Sequence, residues 1–192
     1  MSKLKTIILT ALCVGLTGCA AGERAGDTAA TTNTTTTTSA RKTAEAPAGA
    51  GGATTGTAVG NLAPQFQLVQ TDGAQVSLDS LRGRPAVVVF WTAWCPFCKE
   101  EAPHINELAA QYEARGVRVL GINIQDSEAR TAGGVREFGI KYAVARDADA
   151  RIAKLYKVQG TPTVIFLDKD GIVRYNGNEL PKDYAAQLDA LL

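Results

Sequence analysis

The chain has 192 residues, 20 basic and 19 acidic side chains and a formal net charge of +1. Its basic residues are scattered without a dense stripe, which excludes a nucleic-acid-binding surface and a polybasic membrane patch. Glycine-rich phosphate loops, an H-E-x-x-H pair and a G-x-S-x-G elbow are all missing, so nucleotide and hydrolase chemistry have no support.

The first element, residues 1–19, reads MSKLKTIILTALCVGLTGC. Lys3 and Lys5 make a positive start, Ile7 to Leu16 an apolar core, and Leu16-Thr17-Gly18-Cys19 a small-residue end. The apolar stretch falls short of the ~20 residues a membrane-spanning helix needs, and the layout is that of an export signal. Its end resembles the lipobox of bacterial lipoproteins, a resemblance that implies lipidation at Cys19 after cleavage. Loss of Lys3 and Lys5 with the leader leaves 18 basic against 19 acidic residues, net −1. Residues 20–58 are rich in Ala, Thr and Gly, with an unbroken threonine run from Thr34 to Thr38. Such a segment buries too little surface to offset its ordering entropy, so it is expected to be a disordered tether, with a reach of about 30–40 Å as a flexible coil.

Residues 59–192 read as one globular domain. The segments 64–70 and 75–78 flank Thr71-Asp72-Gly73 and predict a β-hairpin. AVVVFW (86–91) is a continuous apolar run, the mark of a central strand buried on both faces. A helix is expected over about 95–114 with Pro103 inside it as a kink, then a buried strand at 117–124, a helix weakened by Gly133-Gly134 at 127–138, and a short strand at 142–145. A helix over 147–158 opens with Asp147, a hairpin spans 163–168 and 172–175, and a last helix runs from Pro181 to the end. The order predicts an α/β domain whose mixed central sheet is flanked by helices, with the hairpin as an N-terminal extension.

With Cys13 in the leader and Cys19 lipidated, Cys95 and Cys98 are the thiols left for chemistry. A C-x-x-C pair closes too small a ring to be an effective staple. Cys95 falls where the central strand gives way to a helix, at the strand end where open α/β sheets place their sites. The free N–H groups of the helix's first turn favour a thiolate there. Cys95 is therefore expected to attack, and Cys98, one turn further in and more covered, to resolve.

Trp94-Cys95-Pro96-Phe97-Cys98 after VVVFW, with Gly160-Thr161-Pro162-Thr163 before VIFLDKDG, resembles the thioredoxin-like family, and more narrowly its TlpA/ResA/DsbE branch of extracytoplasmic thiol–disulfide oxidoreductases. The resemblance covers about residues 60–192 and implies a thioredoxin-like fold and exchange of disulfides with protein substrates. It implies no cofactor. It also implies that Pro162 is cis beside the cysteines, that Thr161 offers its backbone to an extended substrate segment, that Trp94 packs over the site's rim, and that Glu101, at i,i+3 from Cys98, handles that thiol's proton. Read without the family, Glu101 is equally a solvated helix acid beside Lys99, and Trp94 equally core. Where thioredoxin itself carries a buried aspartate this chain has Val89, which places more weight on Glu101. Many relatives of this kind act as reductants, including in cytochrome c maturation, and some act as oxidants; the resemblance leans toward a reductase. A lipid-anchored reductase in the cell envelope, facing the periplasm or extracytoplasmic space, calls for a membrane redox partner to supply electrons.

The competing reading is copper binding or delivery. Two thiolates with His104 would suit a soft metal, but His104 sits beyond Pro103 on what should be the outer part of the helix, and no metal site is expected.

Overall fold

The computed structural model describes residues 54–192. The export signal, Cys19 and most of the expected tether lie outside the described residues. The remaining tether residues are tied to the domain. Gly56 N–H donates to the Leu62 carbonyl at 2.9 Å, and Asn176 Nδ2 donates to the Thr57 carbonyl at 2.9 Å.

The expected hairpin is β1 (Gln67–Gln70) and β2 (Gln75–Ser77), antiparallel about the Asp72-Gly73 turn. A four-residue helix, α1 (Leu78–Leu81), follows at once, although Leu78 was expected to end the strand. The side chains of Ser77 and Ser80 cap each other's backbone N–H, closing a box that turns the chain into a helix. β3 (Ala86–Trp91) is buried at every position. It passes through Cys95 into α2 (Pro96–Tyr112), which contains Pro103 and is followed by a 3-10 turn, Glu113–Arg115. Then come β4 (Arg118–Ile124), α3 (Glu128–Glu137), β5 (Ala143–Asp147), α4 (Arg151–Leu155), β6 (Thr163–Leu167), β7 (Val173–Gly177) and α5 (Tyr184–Asp189).

Two helix starts differ from expectation. Asp147 stays in β5, and α4 begins after Ala150, which adopts φ 55°. The Asp147 carboxylate still satisfies the new helix, accepting from the N–H groups of Ile152 and Ala153. α5 begins at Tyr184, because residues 181–184 form a turn closed by the Tyr184 N–H on the Pro181 carbonyl.

The strands form one mixed sheet in the order β2-β1-β5-β4-β3-β6-β7. β3, β4 and β5 are parallel, and β6, β7, β1 and β2 run antiparallel to their neighbours. This is the thioredoxin-like α/β architecture the sequence implied. Alternation along β3 divides the core. Val88 and Phe90 face a cluster with Leu120, Ile122, Ile152 and Tyr156. Val87 and Val89 face Ile105, Leu108, Ala109 and Tyr112 of α2. Each such side chain contributes about 1.5–3 kcal/mol by leaving water, so α2 is held firmly and its first turn is fixed at the end of β3. Among the described residues no helix is long and apolar enough to cross a membrane.

Candidate active site

Cys95 is the N-cap of α2, with extended backbone (φ −86°, ψ 114°) and Pro96 in the first turn, where a missing N–H costs nothing. Its Sγ accepts the Cys98 N–H at 3.2 Å, one of the orphan donors of the helix start. Through its own proton the same sulfur donates to the Thr161 carbonyl at 3.2 Å. The Thr161–Pro162 peptide is cis. Both thiols are free.

Cys98 was expected to be the more covered of the two. Instead each is 4% exposed. The cause lies far along the chain, in the Thr161 carbonyl laid over Cys95. The two sulfurs differ in their electrostatic surroundings instead. Burial, reinforced by the neighbouring Cys95 thiol, pushes the Cys98 thiol up to about 12.

Trp94 and Phe97 are 70% and 66% exposed and form an apolar rim, so Trp94 is not core. Glu101 is not a free surface acid beside Lys99, since Lys99 turns to Glu137 of α3 at 2.9 Å. The Glu101 carboxylate accepts the Leu180 N–H at 2.7 Å. It shares with Cys98, Val89, Tyr142 and Pro162 the wall of a cavity of about 10 Å³, close to the room one water needs. Glu101 also lines an outer groove with Phe97, His104 and Thr161, so it stands between the Cys98 cavity and solvent. The hydroxyl of Tyr142 is held in its neutral form, first by burial and then by Cys98 and Glu101. His104 faces that outer groove, and among the described residues no three His, Cys, Asp or Glu side chains gather as a metal site.

Sequence reasoning missed a brace behind the cysteines. Asp126, in the β4–α3 loop, has a side chain 2% exposed. Its Oδ2 accepts the Ala93 N–H at 2.7 Å and Asn123 Nδ2 at 2.9 Å. Thr131 of α3 donates to Asn123 Oδ1 at 2.8 Å. Gly134 of α3 packs so closely that a Cβ there would lie 2.8 Å from the Ala93 Cβ and 2.9 Å from Trp91 Cζ3. Of the Gly133-Gly134 pair that weakens the helix on paper, Gly134 is what lets α3 reach the loop before Cys95, while a Cβ at Gly133 would meet nothing within 4 Å. Asn178 supports the other side, donating to the Pro162 carbonyl at 3.1 Å and to Thr163 Oγ1 at 3.3 Å. The spacing of Gly134 within a helix was the one signal available.

A buried thiol pair at a helix start, beside a cis-proline loop, in a mixed sheet of this order, suits thiol–disulfide exchange. Residues 59–176 match the AhpC/TSA family. The chain belongs to that family. Among curated members similar to this AhpC/TSA chain is the thiol-disulfide oxidoreductase ResA of Bacillus cereus, 32% identical over 115 residues, 60% of this chain and 66% of that protein. The chain thus spans just under two thirds of that relative. ResA of Geobacillus thermodenitrificans is 30% identical over 139 residues, 71% of this chain and 80% of that one. Among solved structures, a secreted Mycobacterium tuberculosis disulfide oxidoreductase homologous to DsbE is 30% identical, with a TM-score of 0.56 over 67% of this chain and 96% of its own.

Proposed function

We propose that this AhpC/TSA-family chain is a thiol–disulfide oxidoreductase acting on proteins. The observation that carries the reading is the Cys95 sulfur at the first turn of α2, accepting the Cys98 N–H. The partial positive charge of that turn stabilises a thiolate.

In the reducing direction, Cys95 thiolate attacks one sulfur of a client disulfide. A mixed disulfide forms and one client thiolate leaves. Cys98 gives its proton to Glu101 through the small cavity and attacks the Cys95 sulfur. The second client thiolate departs, two electrons have passed to the client, and a Cys95–Cys98 disulfide remains. Thr161 and the Trp94 rim receive the client chain. The family resemblance favours this direction and an extracytoplasmic setting. The lipobox-like end of the leader favours lipidation at Cys19, and the composition of residues 20–58 favours a tether. A reductase so placed needs a membrane redox partner that returns two electrons. Cytochrome c maturation is one process such a reductase serves.

Insulin reduction by the 192-residue chain tests the reading. Turnover should vanish in Cys95→Ser, and in Cys98→Ser a mixed disulfide should accumulate. Equal turnover in Cys95→Ser would refute it.

A further inference from the structure

Two grooves meet at Gly160 and Thr161, directly above the Cys95 sulfur. One, of about 420 Å³, is lined by Phe97, Glu100, Glu101, His104, Asn178 and Glu179 besides the shared pair and Pro162. Its charged side chains are all carboxylates. The other, of about 280 Å³, runs past Trp94, Ile124, Ala153 and Val158, and its only charged lining residue is Lys154. Its floor includes Thr92, 5% exposed, whose hydroxyl has no partner. Gln125 and Ala150, two of the three non-glycine residues with positive φ among the described residues, lie on the same wall. Backbone held in that region is a recurrent mark of ligand-binding sites.

None of Glu100, Glu101, Glu179 or Lys154 is in an ion pair among the described residues. Lys99, the nearest cation in sequence to Glu100 and Glu101, is committed to Glu137. Each groove therefore keeps its own sign of charge, and each carries one exposed aromatic ring.

We propose that the two grooves select and orient the client, an extended cysteine-bearing protein segment with a lysine or arginine on one side of its cysteine and an apolar residue on the other. This rests on the exchange activity proposed above and specifies its substrate class. With the client cysteine at Cys95, side chains about 3.3 Å per residue further along the strand enter the flanking grooves. The cation meets Glu100 and Glu179, and the apolar flank meets Trp94, Ile124 and Val158. Reversing the segment would set the cation against Lys154, and replacing it by glutamate would set like charges together on the acidic side.

The test uses the full chain and peptides carrying a single cysteine as a glutathione mixed disulfide. One pair has lysine on one flank and valine on the other, in both chain orders, and a second pair has glutamate in place of lysine. We expect one lysine order to be reduced fastest, on the order of tenfold over its glutamate counterpart at low salt. That ratio should shrink toward one in 0.5 M NaCl, and in Glu100→Gln/Glu179→Gln it should fall because the glutamate peptide speeds up. Equal rates for lysine and glutamate peptides, or a preference unchanged in the double variant, would overturn the inference while exchange itself stands. Absence of exchange with every peptide would overturn the oxidoreductase reading and this inference together.

Discussion

The Asp126 brace makes a prediction whose size follows from the hydrogen bonds. Asp126→Ala removes a 2%-exposed carboxylate that accepts from the Ala93 N–H and Asn123 Nδ2. One part-buried and one buried donor lose their partner, at about 1–3 kcal/mol each. Their sum, about 2–6 kcal/mol, is offset in part because the variant no longer buries a carboxylate. The lower half of that range is the expectation. A domain of this size has about 5–15 kcal/mol in total, so the variant should fold but melt at clearly lower urea. Both donors bond the same oxygen, so Asp126→Asn can set its amide oxygen there and keep both bonds, and it should lose much less. Urea unfolding with the m-value checked gives the stability, and exchange rates corrected for the folded fraction give the positioning effect. Ala93 lies two residues before Cys95, so loss of its anchor should loosen the 3.2 Å contact between the Cys95 sulfur and the Thr161 carbonyl and slow exchange even in folded protein. If Asp126→Ala lost less than about 1 kcal/mol at an unchanged m-value and exchanged normally, the brace would have no energetic role.

Three further outcomes are expected. Burial raises the Cys98 thiol from an ordinary 9.0 to about 12, so the folded state holds that proton more tightly than the unfolded one. The associated stability is complete below pH 9 and is lost as pH rises through about 12. Between pH 9 and 10, below the ordinary tyrosine value of 10.0, wild type should lose about 1 kcal/mol that Cys98→Ala does not lose, measured by urea titration at each pH. Glu101→Gln can still accept the Leu180 N–H, so its stability should hold. Its mixed disulfide between Cys95 and thionitrobenzoate should persist on the order of a hundredfold longer at pH 7, with the gap closing at alkaline pH; an unchanged lifetime would remove Glu101 from proton transfer. Gly134→Ala should destabilise by about 1–3 kcal/mol through its clash with Ala93 and Trp91, and adding Ala93→Gly should recover part of the loss in thermal melts.

What the sequence made legible were features whose cause is local. The apolar run 86–91 announces a strand buried on both faces, and the cysteines that follow it announce a helix start, because pattern and spacing sit side by side. Glu101 could be placed on the Cys98 side of α2 from helical periodicity alone, yet its partner Leu180 could not, because residues 79 apart meet only after β6 and β7 have packed. α1 escaped because four residues are too few to show a helical period and Ser77-Leu78 continues a strand-like alternation. Asp126 in a loop looks like any turn-forming aspartate. Its bond to Ala93, 33 residues earlier, depends on the parallel pairing of β3 with β4 that sets Trp91 beside Asn123. The depth of Cys95 failed for the same reason, since the carbonyl that covers it comes from 66 residues away.

That covering carbonyl changes how the attacking sulfur should be understood. Exposure does not separate the two cysteines, each 4% accessible, so exposure cannot assign their roles. Charge does. Cys95 receives a backbone N–H from the helix start, whereas Cys98 is held as a thiol by burial. The Thr161 carbonyl can accept from Cys95 only while that sulfur carries its proton. Once the proton leaves, sulfur and oxygen are both acceptors and no longer attract, while the helix donor still holds the anion. In the proposed exchange, loss of that proton therefore frees the Thr161 carbonyl as the nucleophile forms, and a free carbonyl is what an incoming client N–H requires. Under that proposal, activation of the sulfur and docking of the client strand become one coupled step. A trapped mixed disulfide in which no client N–H reached the Thr161 carbonyl would break that coupling.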